Sequence, residues 1–205
     1  MGRRNKSKFA ILGLLSTEPM SGYDIKRAAE ASIGYFWQEG YSSIYPNLKK
    51  LLSEGLVSNK VEAQTPGPDR IVYSLTEKGW EELKAWLMLE PEPEPVRNEL
   101  LLKLFFGEHL DAKHQIRYLE KARVANEIRL KSLQSIVARL KSELPDQSGL
   151  PYWLITLKFG IHTRTALDAW FEETINDLKT VVKGSGSKPF TKFVLKAADG
   201  GKNVE

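Results

Sequence analysis

The chain has 205 residues and a formal net charge of +4, and 41% of its residues are hydrophobic. This length suffices for one or two domains with a buried core, and no apolar run approaches the ~18 residues that a membrane span needs. The absence of cysteine excludes disulfides and thiolate metal sites and fits a reducing compartment, so we expect a cytoplasmic protein. The modest positive charge permits a polyanionic partner without requiring one.

Composition divides the chain into four segments. Residues 1–89 alternate helical and strand-like patterns, and residues 90–95 read EPEPEP, in which alternating proline predicts a short, stiff linker. Residues 96–182 predict helix almost throughout. Residues 183–205 are rich in glycine and polar residues at both ends, which predicts a flexible tail. The first eight residues contain four basic side chains and no acid, a pattern typical either of a solvated terminus or of an arm that contacts DNA: Arg3, Arg4, Lys6 and Lys8.

The first 89 residues predict three helices, a two-stranded hairpin and a fourth helix, in that order. Ser21 and Thr76 are suited to cap the second and fourth helices, and Gly55 lies where a left-handed end of the third helix is expected. The two strands alternate apolar residues around a turn of sequence TPGPD. This is the order of a winged helix-turn-helix domain. The apolar strand positions are Val57, Val61, Ala63, Ile71, Tyr73 and Leu75.

The third predicted helix has an apolar face and a positively charged face. At ~100° per residue, Ile44, Leu48, Leu51 and Leu52 form one stripe. The opposite face carries Lys49 and Lys50 among serines, without an acid. Short hydroxyl side chains allow close approach to a major groove, lysines reach phosphates or guanine, and an asparagine pairs with adenine. The side chains predicted to bind double-stranded DNA are Lys6, Lys8, Tyr23, Ser42, Ser43, Tyr45, Asn47, Lys49, Lys50 and, on the wing, Arg70.

An ordinary amphipathic surface helix would show the same polar face. The DNA-binding interpretation therefore depends on the wing and the basic arm accompanying this helix. A winged-helix module that binds a protein and never contacts DNA is the alternative. Such modules usually lose the positive face of the third helix, which this sequence keeps.

Residues 111–144 predict a single helix ~50 Å long, which Asp111 begins and Pro145 ends. Leucines and valine spaced by three and four predict a coiled-coil seam, interrupted upstream by Arg123 and Asn126. The segment 152–157 is apolar all round, which indicates burial that a second subunit would supply most simply. Aromatic residues here either sandwich a flat effector or fill the core of a homodimer. The residues predicted to dimerise are Leu130, Leu133, Val137, Leu140, Trp153, Leu157 and Trp170.

No pattern of an enzyme stands out. There is no glycine-rich phosphate loop and no nucleophile elbow, and the three histidines have no regular metal-binding spacing. We therefore expect neither a catalytic site nor a metal or cofactor. An enzyme with an unrecognised site is the second alternative, and turnover that survives loss of the first 89 residues would support it.

Three stretches carry a resemblance to a known family. They are ILGLLSTEPMSGYDIKR, SSIYPNLKKLLSEGLV and YSLTEKGWEEL, and they resemble the PadR family of transcriptional regulators. VRNELLLKLFF and LITLKFGIHTRTALDAW are similar to the C-terminal helical domain of the subfamily with the longer form of that domain. The patterns above predict a mainly α-helical fold, with a winged helix-turn-helix head followed by an all-helical dimerisation domain. The resemblance implies a homodimer, usually a repressor, on a roughly palindromic operator. In some members a small, often aromatic, effector releases it.

Overall fold

The computed structural model describes residues 6–37, 41–63, 69–93 and 97–181, with only the backbone of residues 41, 42 and 181. The chain divides into two compact units, Met1–Pro95, which we call the head, and Val96–Glu205, which we call the helical unit. Several predictions lie outside the described residues: Arg3 and Arg4, the side chain of Ser42, most of the wing turn, the end of the linker and the tail.

The head consists of helices α1 (Lys6–Leu15), α2 (Gly22–Ser32), α3 (Tyr41–Ser53) and α4 (Glu77–Leu87), with strands β1 (Met20–Ser21), β2 (Val57–Glu62) and β3 (Arg70–Leu75). β3 lies between β1 and β2 and is antiparallel to both. This confirms the winged helix-turn-helix fold. The predicted two-stranded hairpin is part of a three-stranded sheet. The sequence did not predict β1, because its two residues are too few to show an alternating pattern.

Local hydrogen bonds explain where the helices of the head begin and end. The Ser21 hydroxyl accepts from the Asp24 N–H at 3.2 Å while the Ser21 N–H donates to the Asp24 carboxylate at 3.0 Å, a capping box. The Thr76 hydroxyl accepts from the Gly79 N–H at 3.1 Å. α3 ends at Ser53, and Gly55, two residues later, has a φ of 70°, the left-handed conformation that glycine tolerates best. These ends agree with the predicted ones.

One apolar core joins the helices of the head. Leu12, Ile25, Leu48 and Leu51 are at most 1% exposed, and the rings of Phe9 and Trp86 stack at 4.6 Å between α1 and α4. Four of the predicted apolar positions are exposed. Leu52 is 38% exposed rather than part of the α3 stripe, and Val61, Ala63 and Ile71 on the wing are also exposed, whereas Val72 is buried. Val72 lies between Ser21 of β1 and Lys60 of β2 in the sheet, whereas Tyr73 and Leu75, on the other face of β3, pack against the core.

The helical unit contains α5 (Glu99–Phe105), a short 3-10 turn (Gly107–His109), α6 (Ala112–Glu143) and α7 (Leu150–Val181). Asp111 caps α6 as predicted, accepting from the Lys113 N–H at 2.9 Å. α6 and α7 form an antiparallel hairpin: Leu119 packs on Phe171 near the start of α6, and contacts further along α6 reach earlier residues of α7. No described helix is both long and apolar enough to cross a membrane.

The hairpin corrects the interpretation of the leucine seam. Leu133 is 5% exposed and Leu157 is 3% exposed within a single chain. The remaining seam residues Leu130, Val137 and Leu140 are half-buried. α7 of the same chain is thus the partner of this seam, so the spacing on α6 no longer supports these residues as contacts between subunits. A pattern on one helix does not show which chain supplies its partner. Trp170 is half-buried and packs near Leu119, and Trp153 is 37% exposed.

Candidate nucleic-acid interface

α3 turns the predicted reading face outward. Ile44, Leu48 and Leu51 fix the helix against the core, at 3%, 0% and 1% exposure. Residues on the other side of α3 are exposed, Lys49 and Lys50 among them. The helix is therefore held by its apolar stripe while its polar face is free to enter a groove. The exposed residues of this face are Tyr45, Pro46, Lys49, Lys50 and Ser53, and Ser43 and Asn47 are half-buried at its edge.

Two exposed tyrosines flank the point where α2 approaches α3. Gly22 begins α2, and a Cβ at this position would lie 2.7 Å from Cε1 of Tyr45. The absence of a side chain at Gly22 therefore lets the Tyr45 ring pack against the start of α2. Tyr23 and Tyr45 are each 59% exposed. The structure brings both predicted tyrosines to the surface of the helix-turn-helix.

The α3 face carries a positive charge that the described residues only partly neutralise. Lys50 lies 3.8 Å from Glu54 in an exposed i,i+4 pair, and Lys49 forms no ion pair within the described ranges. Exposed pairs of this kind are weak, so both ammonium groups can reach phosphates. The Asn47 amide donates to the Ser43 carbonyl at 2.8 Å. It would have to leave that bond to pair with adenine, so this contact stays a prediction.

Arg70 has a structural partner that the sequence did not show. Its guanidinium pairs with the carboxylate of Asp24 at the start of α2, 46 residues away in the chain. The hydrogen bonds from Ser21, and then the charge of Arg70, hold the pKa of Asp24 below its ordinary value of 3.8. The Asp24–Arg70 pair thus ties the beginning of β3 to the capping box of α2. The sequence does not show this pair, because contacts between residues this far apart in the chain have no local signal.

Lys6 and Lys8 each form an ion pair within the head. The Lys8 ammonium lies 2.6 Å from Glu82 on α4 and 4.7 Å from the centre of the Phe9 ring. Lys6 lies 3.8 Å from Glu92. Both side chains are 22% exposed. Either lysine would have to leave its carboxylate to contact DNA, so the assignment of Lys6 and Lys8 to the DNA surface stays a prediction.

The described residues contain no group of three histidines, aspartates or glutamates that could hold a metal ion. The geometry at α3 therefore offers recognition by hydrogen bonds, charge and shape. Its elements are an exposed helix, a positive face and a wing held next to it.

Both units of the chain match known protein families. Residues 11–85 match the transcriptional regulator PadR-like family, and residues 96–179 match the family described as virulence activator alpha C-term. The negative transcriptional regulator PadR of Bacillus subtilis is 42% identical over 100 residues, which cover 48% of this chain and 55% of that protein. The match thus spans about half the length of that relative.

Solved structures extend the likeness beyond the head. Bacillus subtilis PadR in complex with operator DNA is 28% identical with a TM-score of 0.78, covering 86% of this chain and 99% of that one. Bacillus subtilis PadR in complex with p-coumaric acid is 29% identical with a TM-score of 0.68, covering 84% of this chain and 98% of that one. The chain belongs to the PadR-like family of transcriptional regulators, with a C-terminal unit of the virulence activator alpha type.

Proposed function

We propose that this protein represses transcription by binding a palindromic operator as a homodimer, with α3 of each head in a major groove. The observation that carries the proposal is the exposed, positively charged face of α3 opposite fully buried Leu48 and Leu51. An α-helix presented in this way fits the major groove, where lysines contact phosphates or guanine edges. The likeness to a relative crystallised with operator DNA supports the same assignment.

Pairing of two heads would be the task of the helical unit. α5 is apolar on both sides: Leu100 and Leu104 pack on the cluster around Leu119, while Leu102 and Phe105 are 59% and 61% exposed. Glu99 and Lys103 form an exposed ion pair on α5, but exposed apolar side chains such as Leu102 and Phe105 are typical of an interaction surface. We therefore assign the homodimer contact to the outer side of α5 and its surroundings in place of the α6 seam. Joining two weakly binding heads raises the overall affinity for DNA by a factor of ~10² to 10⁴ when the spacing of the heads matches the half-sites.

Release by a small molecule forms the second part of the proposal. The relative crystallised with p-coumaric acid shows that one member of the family binds an aromatic acid. We propose that an effector of this class lowers the affinity of the present protein for its operator. Thermodynamic linkage then requires that operator DNA lowers the affinity for the effector by the same factor.

The test is selection of bound sites from random DNA duplexes, followed by anisotropy titrations of the selected site at several salt concentrations. We expect an inverted repeat whose half-sites lie one duplex turn, or a multiple of it, apart. We also expect log K to fall linearly with log salt, by ~0.9 for each phosphate contact. If no sequence is enriched and binding has no salt dependence, the head is a protein-interaction module.

A further inference from the structure

Two arginines of the helical unit differ in the charges that surround them. Arg123 on α6 donates to Asp168 at 3.1 Å and to Glu172 at 2.8 Å, so two carboxylates surround one guanidinium. Arg164 on α7 instead donates to the amide oxygen of Asn126 at 3.3 Å. Within the described ranges of the chain, no carboxylate forms an ion pair with Arg164.

The surroundings of Arg164 disfavour its charge. The side chain is half-buried beside Asn126, which is 2% exposed. Burial, and then the charge of Arg129, lower the pKa of Arg164. The carboxylates of Asp168 and Glu172 instead raise the pKa of Arg123. Asp168 lies one turn from Arg164 on α7, but both of its oxygens accept from Arg123. A partly desolvated cation without a counter-charge is costly, and a bound anion would offset that cost.

We propose that Arg164 and Arg129, together with Asn126, form a binding site for the carboxylate group of a small organic anion. Asn126 and Arg129 are three residues apart on α6 and therefore lie on one face of the helix. The Asn126 amide also donates to the Arg164 carbonyl at 2.8 Å, so it holds the backbone as well as the side chain of this arginine. The planar fork of a guanidinium matches a carboxylate with two parallel hydrogen bonds.

A singly charged ligand with an apolar body suits this place better than phosphate. Only Arg164 of the two arginines is half-buried, while Arg129 is exposed and its charge is screened. Gly160, one turn from Arg164 on α7, has no side chain, and Ala125, one turn from Arg129 on α6, has only a methyl group. Leu167, one turn beyond Arg164, is apolar and half-buried. A monocarboxylate therefore balances the one desolvated charge and leaves its apolar part against the hairpin.

This inference deepens the proposed release by an effector and rests on that proposal only for its regulatory consequence. Binding is measured on the full-length protein without DNA, and operator affinity is measured without the anion. Failure of the anion site and failure of the proposed function therefore give separate results.

Calorimetric titration tests the site, with p-coumarate and benzoate as probes and benzyl alcohol as the uncharged comparator. We expect both carboxylates to bind at least tenfold more tightly than benzyl alcohol. Arg164→Gln should lower carboxylate affinity at least tenfold, and Arg129→Gln should lower it by a smaller factor. Arg117→Gln, which removes an exposed arginine elsewhere on α6, is the matched control and should leave the affinity unchanged. Far-ultraviolet circular dichroism and thermal melting then verify that each variant is folded.

Four results would overturn the proposal. The first is that the folded wild-type protein binds no carboxylate, and the second is that Arg164→Gln and Arg117→Gln lose carboxylate affinity equally. The third is that inorganic phosphate binds more tightly than benzoate. The fourth is that Arg164→Gln dissociates the homodimer in sedimentation. The last result would assign the counter-charge to a partner subunit. Loss of benzoate binding in Arg164→Gln with operator affinity intact would support the proposal.

Discussion

The head and the helical unit have similar lengths but bury apolar surface very differently. Among the described residues, twelve buried apolar side chains form one continuous cluster in the head, whereas the corresponding cluster in the helical unit has three: Leu119, Phe171 and Ile175. Polar Gln115 and Asn126 are buried in the helical unit instead, and large apolar side chains remain exposed on α5. Since burial of apolar surface is the main favourable term in folding, we expect the head to be stable by itself and the helical unit to depend on association.

The largest expected effect follows from the core of the head. Leu48 is fully buried, so Leu48→Ala should lower the free energy of unfolding of the head by about 2–5 kcal/mol, through lost burial and the cavity left behind. Hydrogen exchange of the α1–α3 amides in urea measures this change for the head alone. Leu52→Ala, on the same helix but 38% exposed, is the matched control and should cost less than about 1 kcal/mol. Equal losses would mean that the head is not the self-sufficient unit.

The stability of the helical unit should depend on protein concentration, whereas the stability of the head should not. Replacing Leu102 and Phe105 by serine removes exposed apolar surface from α5 without touching Leu100 or Leu104, and should raise the dissociation constant of the homodimer by roughly 10- to 100-fold. Sedimentation of the full-length variants measures this change. Met88→Ser in the head, at 82% exposure, removes apolar surface elsewhere and should leave the constant unaltered. A dimer that withstands the α5 changes would place the interface on another face.

The fold of the head could be predicted from sequence because each of its signals is local. Ser21, Gly55 and Thr76 mark helix ends through hydrogen bonds or backbone geometry within a few residues. The apolar stripe of α3 likewise follows from its spacing, except at Leu52 near the end of the helix. Strand β1 and the burial of Val72 were missed because they depend on pairing between distant segments.

The sites that sequence could not predict depend on contacts between distant residues. The polar face of α3 was found by periodicity, but the partners of Lys8 and Arg70 lie 74 and 46 residues away. The same holds for Asn126, which the pattern showed only as a break in the seam. In the structure, its amide is the contact between α6 and Arg164. A side chain that interrupts an apolar repeat is thus a useful signal, although its partner becomes visible only in the fold.

The α3 face gives a smaller but diagnostic effect on DNA binding. Lys49→Ala with Lys50→Ala should weaken operator binding and reduce the salt slope by up to ~0.9 for each lost phosphate contact. The head should remain folded, since both side chains are exposed. Lys113→Ala with Lys121→Ala removes the same charge from α6 and tests whether net charge alone is responsible. An identical slope in both double variants would assign the DNA surface to another part of the chain.

The smallest effect tests whether any of the stability of the head is electrostatic. Because the pKa of Asp24 is lower in the folded head than its ordinary value of 3.8, its contribution is fully present above that value. It is lost as the pH falls through the lowered pKa, when the carboxylate is protonated in both states. Asp24→Asn should therefore reduce the stability of the head at neutral pH by less than about 1 kcal/mol, since the pair with Arg70 is partly exposed. The difference from the wild type should shrink as the pH falls below 3.8. Asp69→Asn, at an exposed position next to Arg70, is the control. If the two variants have the same pH profile, the Asp24–Arg70 pair contributes nothing and the head is held by its apolar core and caps alone.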